Sequence, residues 1–128
     1  MPPNNGAPQK RALVVDDDDA VVELVSVALR RAGYEVETAG DGMTALAMYR
    51  ASTFDAVVCD MRMPKLSGIS FLKNLRLGDQ SSCRIVMLSS LDDRNIQREA
   101  IEAGAVAYLV KPALSKAIIE AVTGTSAA

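Results

Sequence analysis

The chain has 128 residues, with 14 Lys and Arg against 16 Asp and Glu, no His, two Cys and 49% hydrophobic residues. That length makes one domain and needs no disulfide or metal to hold a core, and the composition is globular rather than disordered or fibrous. No apolar run approaches a membrane span, a net charge of −2 gives no general attraction to nucleic acid or anionic lipid, and the lack of His excludes a His-based triad, a His metal site and an imidazole pH switch.

Residues 1–10 are rich in Pro, Asn and Gly, lack periodicity and are expected to form a flexible tail. They contain no apolar signal segment, so a cytoplasmic location is expected, with Cys59 and Cys83 as reduced strand thiols. Ala12–Val15 is a short apolar run ending in four aspartates. A helical pattern follows over about Asp19–Ala32, stopped by Gly33. Tyr34–Thr38 alternates as an edge strand does and carries Glu35 and Glu37. After the Gly40-Asp41-Gly42 turn, Met43–Ala51 predicts a helix. Phe54–Cys59 is a second apolar run, ending at Asp60. The loop MRMPKLSG leads to a helix capped by Ser67, running to about Leu77 and closed by Gly78. Ile85–Leu88 is a third apolar run, ending at Ser89-Ser90. Asp92 or Asp93 caps a helix to Ala103, closed by Gly104. Val106–Val110 is a fourth run, ending at Lys111-Pro112, where a cis bond would suit the turn. A last helix covers about Leu114–Val122, and residues 124–128 are expected to fray.

Strand and helix thus alternate five times with short connections. That order predicts a parallel sheet with helices on both faces, because parallel strands need crossovers. The continuous apolar runs suit strands buried on both faces. In such sheets ligands bind beyond the carboxyl ends of the strands. Polar groups collect there: Asp16 and Asp17 after the first strand, Asp60 after the third, Ser89 after the fourth and Lys111 after the fifth. Three ionised carboxylates need a counter-charge, and a hard divalent cation such as Mg²⁺ supplies it. With Lys111, the cation could hold a phosphoryl group during in-line transfer. A carboxylate can accept that group as an acyl phosphate, and Asp60 is the natural candidate, with Ser89 donating a hydrogen bond to it. Asp18 and Asp19 have a plainer use, opening a helix and suiting its dipole. Without further context Tyr108 is a partly buried strand aromatic with a wet hydroxyl.

The segments LVVDDD, VVCDMRMPKLSG, IVMLSS and AYLVKPA closely resemble the motifs of bacterial response-regulator receiver domains, over about residues 11–123. The resemblance implies a flavodoxin-like, doubly wound five-stranded parallel sheet, order 2-1-3-4-5, with five helices. It implies Asp60 as phosphoacceptor, Asp16 and Asp17 as the acidic pair for Mg²⁺, the backbone carbonyl of Arg62 as a further ligand, and Lys111 as the phosphoryl-binding cation. Ser89 takes the hydroxyl switch position and Tyr108 the aromatic one. A sensor histidine kinase or histidine phosphotransfer protein would donate phosphate. Ser89 would then move toward it, Tyr108 would turn inward, and the surface of the last two helices and the strand between them would change for a downstream protein target or an output domain lying elsewhere in a longer protein. The protein would be a signalling phosphoacceptor, at most catalysing its own phosphorylation and dephosphorylation.

Departures from the family pattern sharpen the expectation. Ser89 lacks the methyl of the commoner Thr, and Ala113 stands where an aromatic is frequent. Arg62 and Leu91 offer no side-chain amide or carboxylate to position a hydrolytic water, which predicts slow self-dephosphorylation. In the first helix Glu23, Ser26 and Arg30 form the polar face, leaving an apolar surplus involving Val21, Val22 or Val27 that either meets a partner helix, as the resemblance to a phosphodonor-docking surface implies, or is wedged between the sheet and neighbouring helices. Arg94, Arg98, Glu99 and Glu102 make a solvated face on the fourth helix. Two alternatives remain open at this stage. A haloacid-dehalogenase-like phosphatase would use Asp17, Asp19 and Val21 as its Asp-x-Asp motif with Ser89 and Lys111, but only Glu120 follows as a further acid. A pseudo-receiver binding module would keep the fold and never carry phosphate. No basic recognition helix for DNA is visible.

Overall fold

The computed structural model describes residues 9–62, 66–76 and 82–124. The expected tail before residue 9, the helix stop at Gly78 and the last four residues lie outside the described residues. Strands β1 (Arg11–Val15), β2 (Glu35–Ala39), β3 (Ala56–Cys59), β4 (Arg84–Ser89) and β5 (Ala107–Val110) form one parallel sheet in the order β2-β1-β3-β4-β5. Helices α1 (Asp19–Arg31), α2 (Gly42–Ala51), α3 (Gly68–Arg76), α4 (Arg94–Glu102) and α5 (Ser115–Thr123) connect and follow them. The fold class and strand order are those implied by the resemblance. No helix among the described residues is long and apolar enough to cross a membrane.

The strands are apolar throughout because both faces are covered. In β1, Leu13 and Val15 join Val57, Cys59, Ile85 and Met87 beneath α2, α3 and α4, where Phe71 and Leu72 are fully buried. Ala12 and Val14 join Ala56, Val58, Val86 and Leu88 on the other face, beneath Val25 and Leu29 of α1 and Ile118 and Val122 of α5. The period-2 alternation of a strand therefore distributes one apolar run between two cores. Both cysteines are buried thiols.

The starts of α1, α2 and α4 are set by carboxylates. Asp18 accepts from the amides of Ala20 and Val21, Asp41 from Thr44, and Asp93 from Asn95 and Ile96. Each such cap is worth about 1 kcal/mol. Asp93, not Asp92, is therefore the α4 cap. At the end of α1, Gly33 adopts φ 97° and lets the Tyr34 amide return to the Leu29 carbonyl. That bond removes Tyr34 from the ladder, so β2 starts at Glu35 rather than Tyr34. Ser26 also departs from expectation. It is 2% exposed, and its hydroxyl has no hydrogen-bond partner among the described residues. The exposed apolar residue of α1 is instead Leu24, at 52%.

Candidate functional site

The ladder itself carries the charged groups to the sheet rim. Asp16 follows β1, and its amide donates to the Ala39 carbonyl at 3.1 Å; Asp60 follows β3, and its amide donates to Val15 at 3.0 Å. Lys111 follows β5, and its amide donates to Ser89 at 2.8 Å. Each is thus the first residue past a strand end, with its backbone still paired to the neighbouring strand. Val15 is in register with Cys59, and Cys59 with Met87, so Ser89 stands two residues farther along β4. The peptide bond between Lys111 and Pro112 is cis.

This placement brings Asp16, Asp17 and Asp60 together, with one carboxylate oxygen from each lying within 4.8 Å of the others. Asp16 and Asp60 are buried and Asp17 is exposed. The Lys111 ammonium donates to Asp16 Oδ2 at 2.8 Å and lies 3.5 Å from Asp60 Oδ2. Asp16 Oδ1 accepts from the Asp18 amide at 2.9 Å, and Asp60 Oδ1 accepts from the Arg62 amide at 3.4 Å. Among the described residues, the three carboxylates therefore share one ammonium and two amides.

The electrostatics follow from that shortage. Burial pushes the Asp60 carboxyl above its ordinary value, the Asp16 charge pushes it the same way, and Lys111 with the Arg62 amide pulls it back only in part. Burial alone pulls the Lys111 ammonium down, but its contacts with Asp16 and Asp60 prevail and hold it above its ordinary value. Lys111 is therefore a fixed positive charge at neutral pH. The thiol of Cys59 is pushed well up, by burial first and then by Asp60 and Asp16, which leaves it an inert hydrophobe. An all-oxygen carboxylate set with residual negative charge suits a hard divalent cation of the Mg²⁺ type.

Ser89 is fully buried, and its hydroxyl accepts from the Leu91 amide at 3.2 Å. Tyr108, half-buried on β5, donates its hydroxyl to the Leu91 carbonyl at 2.7 Å. Burial raises the Tyr108 phenol, the neighbouring Ser89 hydroxyl lowers it, and Asp60, Asp92 and Asp93 raise it. Both backbone groups of Leu91 are thus held by the two residues that the resemblance singles out as switch positions. The sequence reading considered only the side chain of Leu91; a backbone donor and acceptor leave no mark in residue type. Gly68, which in the sequence is only the last residue of the loop MRMPKLSG, packs directly on Asp60. The Arg62 side chain is exposed.

With the geometry established, comparison identifies the family. Residues 12–123 match the response regulator receiver domain. The transcriptional regulatory protein PrrA of Mycobacterium tuberculosis is 42% identical over 111 residues, which are 85% of this chain and 46% of PrrA. The chain thus spans about half the length of the curated relatives it matches. The chemotaxis response regulator CheY4 of Vibrio cholerae superposes with a TM-score of 0.81 at 34% identity, covering 91% of this chain and 98% of CheY4. The CheX-CheY-BeF3-Mg²⁺ complex of Borrelia burgdorferi gives a TM-score of 0.86 at 28% identity, covering 94% and 91%. Response regulators of this kind are signalling modules rather than classical enzymes, which removes the haloacid-dehalogenase reading. Phosphorylation and Mg²⁺ are characteristic of them. The chain belongs to the response regulator receiver domain family of two-component systems.

Proposed function

We propose that the chain accepts a phosphoryl group on Asp60 from a phosphohistidine of a sensor histidine kinase or histidine phosphotransfer protein. The observation that carries this reading is the single Lys111 ammonium shared by Asp16 and Asp60 within a cluster of three carboxylates. Asp16, Asp17, Asp60 and the backbone carbonyl of Arg62 would hold Mg²⁺, which when bound would supply the charge neutralisation that phosphoryl transfer needs. An Asp60 carboxylate oxygen attacks phosphorus, the N–P bond breaks, and the electron pair returns to the leaving imidazole nitrogen. Lys111 then pairs with the phosphoryl oxygens, and Asp16 keeps the ammonium directed into the site. The Borrelia chemotaxis complex is named for its beryllofluoride and Mg²⁺, which supports a Mg²⁺-dependent phosphoryl site here.

The phosphodonor seats against α1, where Leu24 is exposed and Val21, Val22 and Val27 are half-buried. The Ser89 hydroxyl can donate to a phosphoryl oxygen while still accepting from the Leu91 amide. Tyr108 already holds the Leu91 carbonyl, so the signal passes from Ser89 through the Leu91 backbone to Tyr108 and the α4–β5–α5 surface. A downstream protein, or an output domain of the kind implied by the longer transcriptional relatives, reads that surface.

Mass spectrometry after incubation with acetyl phosphate and Mg²⁺ tests the assignment. Wild type gains one phosphoryl mass and Asp60→Asn gains none. Phosphate on both overturns Asp60 as acceptor. Phosphate on neither, with no response to beryllofluoride, favours the pseudo-receiver module instead.

A further inference from the structure

Among the described glycines two stand in opposite circumstances. Gly33 has φ 97° and nothing near the position a side chain would take. Gly68, the first residue of α3, has the reverse: no left-handed backbone, and no room. A methyl group on Gly68 would sit 2.6 Å from Met61 Cα and 3.0 Å from the Asp60 carbonyl carbon, and closer still to the Asp60 carbonyl oxygen. These are main-chain atoms, which cannot swing aside as the end of a side chain can. The Gly68 amide also donates to the Met61 carbonyl at 2.9 Å, fastening α3 to the segment after β3.

We infer that Gly68 is a positioning residue for phosphoryl transfer, setting the location of Asp60 by letting the start of α3 rest on the Asp60–Met61 peptide. The inference rests on Asp60 as the phosphoacceptor. The peptide is gripped from two sides. The Asp60 amide is tied to Val15 at 3.0 Å, and Gly68 closes the opposite approach. A side chain at residue 68 therefore pushes the peptide against the ladder. The displacement reaches the Asp60 carboxylate, whose oxygens lie 3.4 Å from the Arg62 amide and 3.5 Å from the Lys111 ammonium. It reaches the Arg62 carbonyl as well, because the same short segment carries both. Gly42 repeats the device one step away: a methyl there would lie 2.5 Å from the Leu66 carbonyl oxygen. Two missing side chains thus let Leu66 approach the start of α2, and the Asp60–Met61 peptide the start of α3, closely.

The test compares Gly68→Ala with Gly33→Ala, a control strained by its positive φ and remote from the rim. Thermal melts establish that both are folded. Amide NMR spectra then report position, and acetyl phosphate with Mg²⁺, followed by mass spectrometry, reports transfer. Gly68→Ala is expected to shift the Asp16, Asp60, Arg62 and Lys111 resonances and to slow phosphorylation at saturating Mg²⁺ by about tenfold or more, as sub-ångström misplacement does. Gly33→Ala does neither, even where it lowers the melting temperature as much. A Gly68→Ala protein with wild-type rim resonances, or with phosphorylation within about twofold of wild type, overturns the inference. A wild type that takes no phosphate defeats the acceptor reading instead, and the resonances still decide whether Gly68 sets the position of Asp60. Should Gly68→Ala fail to fold, Gly42→Ala replaces it, and unchanged Arg62 and Asp60 resonances there overturn the inference equally.

Discussion

The two ends of the sheet are equally polar and differently balanced. At the amino end, the Arg11 amide donates to Asp55 at 2.8 Å, while its guanidinium pairs with Glu37, bonds Ser52 and Thr53, and lies 4.8 Å from the Phe54 ring centroid. Arg84 there donates twice to the Ala121 carbonyl at the end of α5. Among the described residues, the charged groups named there each have a bonded partner, so the end is a structural seam. At the carboxyl end three carboxylates face one ammonium. Polarity at a strand end is therefore uninformative, and unmatched charge is what distinguishes a site.

The largest effect that could break this contrast comes from deleting one cation at each end. Lys111→Met is expected to slow phosphorylation of Asp60 by about a hundredfold or more, because it removes the preorganised positive charge. Arg11→Met loses about 1 kcal/mol of stability in a denaturant titration and leaves phosphorylation unchanged. Equal effects on transfer would erase the distinction. Next in size is the lifetime of the product. Neither the exposed Arg62 nor the apolar Leu91 offers an amide or carboxylate to orient water, so the aspartyl phosphate should decay over minutes or longer. Decay within seconds, followed by loss of the phosphoryl mass, contradicts it.

A smaller effect sharpens the electrostatic side. The folded-state value of Asp60 is raised, so the carboxyl favours the folded state when protonated, and stability from it is lost as pH rises from the ordinary carboxylate value of about 4 through the raised one. In the absence of divalent cations, Asp60→Asn should therefore melt a few degrees above wild type at neutral pH. The advantage disappears below about pH 4. Mg²⁺ raises the wild-type melting temperature more than that of the variant. Smallest is Tyr108→Phe, which removes one hydrogen bond to Leu91 and costs about 1 kcal/mol in equilibrium unfolding.

Much of this arrangement was legible in the residues, for identifiable reasons. The runs around Leu13, Val57 and Val86 declared themselves because strands buried on both faces tolerate only apolar side chains. Gly33 and Gly104 marked helix ends because both have positive φ. The rim positions of Asp16, Asp60 and Lys111 follow from strand ends, which those runs define. Ser26 misled because a helical wheel records residue type and not neighbours. The hold on Leu91 was invisible because its partners are main-chain atoms. Gly68 was seen but misunderstood, since a glycine needed for space and one needed for conformation are spelled alike.

The amides of residues 16, 60 and 111 remain in the sheet ladder, and this anchoring has a thermodynamic consequence. The backbones that carry Asp16 and Asp60 cannot move apart to relieve the repulsion short of unzipping the strands that bear them. Energy released when a cation or phosphoryl group enters is therefore returned to the whole sheet as resistance to unfolding, rather than spent on ordering a loop.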